Sequence, residues 1–126
     1  MADIKALAAE IAAKFHPEKI ILFGSWAYGT PNEHSDVDIL VVKSHRGRDI
    51  DTATKIRCAL ECNFALDLLV RSPSALRKRI EMGDPFIIEI TSRGKILYEA
   101  DYARMGRQGR GRLGNGFKGV SRQKAA

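Results

Sequence analysis

The stretch Ile20-Ile21-Leu22-Phe23-Gly24-Ser25, followed ten residues later by Asp36-Val37-Asp38-Ile39-Leu40-Val41-Val42, decides how this chain reads. The first run is apolar, β-prone and bounded by Pro17 and Gly24, which predicts a short buried strand. Gly24-Ser25 turns the chain. Trp26 to Tyr28 is one helical turn, and Gly29-Thr30-Pro31-Asn32 has loop chemistry. Residues 36–43 form the second strand. Successive side chains of a strand alternate, so Asp36 and Asp38 share one face while Val37, Ile39 and Val41 share the other.

Working outward, Ala2 to Phe15 places Ile4, Leu7, Ala8, Ile11, Ala12 and Phe15 at helical spacing, and Pro17 ends that helix. Beyond the second strand, Asp49 or Asp51 is expected to cap a helix reaching about Cys62, with Ile56, Ala59 and Leu60 inward. Phe64 to Val70 is a third strand, interrupted by Asp67. Ser72-Pro73 reads as an N-cap followed by proline at the first helical position, and that helix ends near Gly83. Pro85 opens a short helix through about Thr91, Arg93-Gly94 turns, and Lys95 to Tyr98 is a last strand. Helices alternate with strands, so the fold class is α/β or α+β, a small mixed sheet flanked by helices.

The chemistry lies in the acids. Carboxylates two apart on a strand have Cα atoms about 6.5–7 Å apart and repel unless a positive charge lies between them. A hard divalent cation such as Mg²⁺ suits carboxylate oxygens. Asp67 stands alone among Leu66, Leu68 and Leu69, where an unpaired carboxylate is costly. If the third strand neighbours the second, Asp67 joins the same cluster. Three acids on one sheet face can hold two metals roughly 3.5–4 Å apart, the arrangement for phosphoryl or nucleotidyl transfer. Gly24-Ser25 supplies the complement, because free backbone N–H groups after a strand bind phosphate and the Ser25 hydroxyl can donate one more hydrogen bond.

Gly24-Ser25-x10-Asp36-x-Asp38 with an acid on a later strand resembles the nucleotidyltransferase superfamily that includes DNA polymerase beta. The text ILFGSWAYGTPNEHSDVDILVV and the later DPFIIEITSRGKILYEA are similar to the minimal nucleotidyltransferases, small proteins often found as antitoxins of HEPN-domain ribonuclease toxins. The resemblance covers roughly Ile4 to Ala100. It implies a polymerase-beta-like fold whose sheet carries three carboxylates, with Asp36 and Asp38 binding two Mg²⁺ ions. Asp67 would bind the catalytic ion and help deprotonate the acceptor hydroxyl, and Gly24 and Ser25 would bind the triphosphate. The implied reaction moves AMP from ATP to a hydroxyl, a tyrosine of a partner HEPN toxin, and releases pyrophosphate. The chain is too short to carry a full acceptor domain, so acceptor recognition is expected from that partner or from a homodimer interface.

The sequence departs from many relatives in one respect: Trp26 and Tyr28 stand where an arginine often follows Gly-Ser. Stacking and core packing are both open for them. The alternatives for the acids are a solvated strand face for Asp36 and Asp38 and a structural salt bridge for Asp67. The alternative functions are a small-molecule nucleotidyltransferase, for example on an aminoglycoside, and a non-catalytic antitoxin that only occludes its partner. Cys58 and Cys62, four apart on the expected helix, read as buried thiols, since zinc would need two further ligands. His34 reads as a loop residue.

Hydrophobic residues make up 44% of the 126, which excludes a wholly disordered chain. The net charge of +6 is unevenly spread. Of 21 basic and 15 acidic residues, seven basic and no acidic ones lie in 104–126, leaving a balance of −1 for residues 1–103. The expected organisation is therefore a domain over 1–103 and a basic tail over 104–126. That tail also holds six of the 11 glycines and has no periodic apolar face, so it is expected to be disordered. Beyond a flexible solvated end, the tail's basic character leaves two readings, weak nucleic-acid binding and binding to the acidic face of a partner protein. No apolar run approaches the roughly 18 residues of a membrane span, and no signal peptide precedes the first helix, so a cytoplasmic location is expected.

Overall fold

A computed structural model of the chain describes residues 2–32 and 35–100. In chain order the elements are α1 (Ala2–Phe15), β1 (Lys19–Phe23), α2 (Ser25–Tyr28), β2 (Val37–Val42), α3 (Asp49–Cys58), β3 (Leu66–Arg71), α4 (Pro73–Glu81), α5 (Pro85–Arg93) and β4 (Lys95–Glu99). The expectations for the tail and for His34 lie outside the described residues.

The four strands form one mixed sheet in the order β3-β2-β1-β4. β1 runs antiparallel to both β2 and β4, whereas β2 and β3 are parallel. Parallel neighbours need a long crossover, and α3 supplies it. Because side chains alternate, each central strand feeds two cores. Ile20, Leu22, Val37, Ile39, Val41, Leu68 and Val70 pack with Ile4, Leu7 and Ile11 of α1 and with Ala53 and Ile56 of α3. Ile21, Phe23, Leu40 and Val42 pack on the opposite face with Ile87 and Ile90 of α5. Five of the six β2 residues are buried for this reason, and Asp38 is the exception.

Local signals place most helix ends. The Ser72 side chain accepts a hydrogen bond from Ala75 N with Pro73 in the first turn, and Asp84 accepts from Phe86 N and Ile87 N with Pro85 behind it. Pro17 is fully buried just beyond α1, where its ring cannot continue the helix.

The expectation for α3 needs correction. Its N-cap is Arg48, without a side-chain cap, and Asp49 and Asp51 lie inside the first turn. The helix ends at Cys58, four residues short of Cys62, where Ala59 N and Leu60 N close onto Ile56 and Arg57 carbonyls. Ala53 and Ile56 face inward, while Ala59 is exposed. The two cysteines therefore do not share a helix face. Cys58 is an exposed free thiol, and the half-buried Cys62 donates to the Phe64 carbonyl.

Candidate active site

The candidate residues gather where β1 ends and β2 and β3 begin. In the parallel register Asp38 stands directly opposite Asp67, and partners in a parallel ladder point to the same side of the sheet. Across the antiparallel pair Asp38 stands opposite Phe23, the residue before Gly24. Phe23 belongs to the core under α5, so the Asp38–Asp67 side is the α5 side of the sheet.

The pair is electrostatically tense. Partial burial, then the negative charges of Asp67 and Asp36, then a hydrogen bond with Asp67 hold the Asp38 carboxyl above its ordinary value. Asp67 itself is exposed. The cost of burying an unpaired carboxylate therefore does not explain its position, which the strand register sets instead. Asp36 lies just before β2, is exposed, and reaches Asp38 through charge. Among the described residues no ion pair joins a lysine, arginine or histidine to any of the three acids. The described residues also contain no set of three His, Cys, Asp or Glu side chains converging on one metal position. The structure thus brings Asp38 and Asp67 together and leaves Asp36 at the rim. A carboxylate pair that repels and lacks a protein cation fits a hard divalent ion.

Gly24 makes the turn against this pair. Its backbone angles, φ 74° and ψ −157°, fall in a region essentially restricted to glycine. A Cβ added there would overlap Asp38 Oδ2. The Gly24 carbonyl accepts from Ala27 N at 3.0 Å and Tyr28 N at 3.1 Å, so the turn runs straight into α2. Ser25 is the first residue of that turn and is half-buried.

Trp26 and Tyr28 splay to opposite cores. Trp26 packs against the core shared by α1 and α3 and donates from Nε1 to the Ser35 carbonyl at 3.3 Å, tying α2 to the residue before Asp36. Tyr28 packs toward α5 and carries the Arg93 guanidinium over its ring, 4.4 Å from the centroid. The Trp26–Ser35 tie is a supporting contact that sequence reasoning missed. Nothing local to either residue signals it.

The chain belongs to the polymerase beta nucleotidyltransferase family, whose model, described as Polymerase beta, Nucleotidyltransferase, matches residues 5–103. Two proteins of Methanocaldococcus jannaschii that carry the provisional name protein adenylyltransferase are similar to it. One is 35% identical over 82 residues, covering 64% of this chain and 78% of the relative. The other is 38% identical over 87 residues, covering 65% of this chain and 58% of the relative. A solved Sulfolobus solfataricus structure described as a nucleotidyltransferase shares the fold with a TM-score of 0.56 at 19% identity, covering 79% of this chain and 80% of that one. A chain from a toxin–antitoxin complex with AMP-PNP shares it with a TM-score of 0.50 at 24% identity, covering 78% and 75%. No described helix is long and apolar enough to cross a membrane.

Proposed function

We propose that the chain transfers AMP from ATP to a protein hydroxyl, a tyrosine of a partner HEPN toxin, and so acts as the antitoxin of the pair. The observation that carries this reading is the in-register Asp38–Asp67 pair beside the Gly24 turn. Family membership supports nucleotidyl transfer. The relatives' names support AMP as the group moved and a protein as acceptor. A chain of the same fold occurs in a toxin–antitoxin complex.

In this reading Gly24 and Ser25 bind the triphosphate, Gly24 by letting the backbone approach and Ser25 through its hydroxyl. Asp36 and Asp38 would hold two Mg²⁺ ions, and Asp67 would share the catalytic one. Bound Mg²⁺ supplies charge that activates the attacking oxygen and stabilises the leaving one. Asp67 accepts the proton of the acceptor hydroxyl while that hydroxyl's oxygen bonds to the α-phosphorus and the bond from the α-phosphorus to pyrophosphate breaks. The catalytic unit is residues 1–103, the protein works in the cytoplasm, and the partner or a second copy completes acceptor recognition.

The test incubates the protein and its candidate partner with α-labelled ATP and Mg²⁺. Label should appear on the partner and disappear on chelation. Asp36→Asn and Asp38→Asn should each slow transfer roughly 10³-fold, the effect of several kcal/mol of lost transition-state stabilisation. Full labelling by Asp38→Asn, or no labelling by the unmodified protein with its partner, would reject the reading.

A further inference from the structure

We propose that Arg93 binds the β- and γ-phosphates of the nucleotide, an assignment that rests on the nucleotidyl-transfer reading above. Three acids crowd this end of the sheet, so a triphosphate held here needs positive charge from the protein as well as from metal. Trp26 and Tyr28, the residues after Ser25, bring none. Arg93, distant in the chain, reaches Tyr28, three residues beyond Ser25. It is the last residue of α5, the helix that covers the Asp38 side of the sheet.

The packing brackets the turn. At the start of α5, Phe86 meets Phe23 edge to face with ring centroids 5.8 Å apart, and at its end Arg93 covers Tyr28. Phe23 precedes Gly24, and Tyr28 donates its amide to the Gly24 carbonyl. The two ends of α5 are thus tied to Phe23, just before Gly24, and to Tyr28, at the end of the helical turn that Ser25 opens. Gly94 secures the arrangement: a Cβ there would meet Ile21 Cγ2 at 2.5 Å and the Leu22 carbonyl at 2.9 Å. Only a residue without a side chain lets α5 finish this close to β1.

The guanidinium is oriented yet available. Its central carbon sits over the Tyr28 ring, a contact that favours a cation. Its Nη1 pairs with Glu89 at 3.1 Å, where both side chains are about half exposed (55% and 47%), and such surface pairs hold weakly. Among the described residues Nε and Nη2 donate to nothing, which leaves a fork suited to phosphate oxygens. Lys95, the next cation along, pairs in register with Leu22, whose side chain belongs to the opposite core. It therefore points away from the acids.

The experiment measures binding of ATP, of AMP and of inorganic tripolyphosphate in Mg²⁺ by calorimetry, with the melting temperature recorded for each variant. Arg93→Ala should weaken ATP and tripolyphosphate roughly tenfold, the scale of one charge-assisted hydrogen bond. AMP, which lacks the outer phosphates, should bind as before. Arg93→Lys should fall between, and Arg77→Ala, which removes an exposed charge on α4, should change nothing. An equal loss for ATP and AMP would show a merely structural role and overturn the assignment, as would unchanged ATP binding by Arg93→Ala. A wild-type protein that binds no nucleotide would overturn the nucleotidyl-transfer reading, and this inference with it.

Discussion

Replacing Gly24 by alanine perturbs backbone and site together, and the two costs can be separated. The backbone angles of Gly24, φ 74° and ψ −157°, are strained for any residue with a Cβ, at a cost of order 1–3 kcal/mol. The new methyl would also occupy the space of Asp38 Oδ2. That atom ends a short side chain, so Asp38 can rotate away, but only by leaving Asp67. In a domain of this size each kcal/mol moves the melting temperature by roughly 4–8 °C, so Gly24→Ala should melt about 5–20 °C lower. Transfer activity should fall with it. Asp38→Ala removes the overlap and keeps the backbone strain. Denaturant unfolding of the four-member cycle should therefore show Gly24→Ala costing less in the Asp38→Ala background, by about 0.5 kcal/mol or more. Equal costs in both backgrounds would refute the contact between Gly24 and Asp38. No cost in either would refute the backbone conformation itself.

Two further outcomes follow from electrostatics and capping. Because burial, Asp67 and Asp36 raise the Asp38 pKa above 3.8 in the folded state, its stabilising contribution is complete below the unfolded value and is lost as the pH rises through the folded one. In chelator, a pH series of melting curves should show Asp38→Asn flattening the decline from 3.8 upward and melting above wild type near about pH 7; an unchanged pH slope would contradict this. Asp84→Ala removes the acceptor for Phe86 N and Ile87 N and should cost about 1 kcal/mol in urea unfolding, with a cost near zero arguing against the cap.

The sequence by itself determined what depends on neighbours a few residues apart. The apolar spacing of Ile4, Leu7 and Ile11 and the stop at Pro17 define α1. Ser72-Pro73 and Asp84-Pro85 start α4 and α5 because a capping side chain and a ring-locked φ act within one turn. The strand alternation that sets Asp38 on one face and Val37 and Ile39 on the other is equally local, and the Gly24-Ser25 turn could be read beside it, whereas Asp36 falls just before the strand. Where the local signal was weak the reading failed. α3 stops at Cys58 rather than Cys62 and leaves the Cys58 thiol exposed, since its end follows from how the crossover must descend to β3 and not from any stop residue.

Tertiary structure decided everything that depends on which strand pairs with which. The order β3-β2-β1-β4 and the parallel register that sets Asp67 against Asp38 join residues almost thirty positions apart, and no local pattern specifies that alignment. The apolar neighbours of Asp67 suggested a buried acid. The sheet instead leaves it exposed, because β3 is an edge strand and Asp67 lies at its start. The same holds for Arg93, which the sequence offers only as a turn residue. It comes to rest on Tyr28 because Gly94 lets α5 finish against β1, a close approach that only the folded sheet creates.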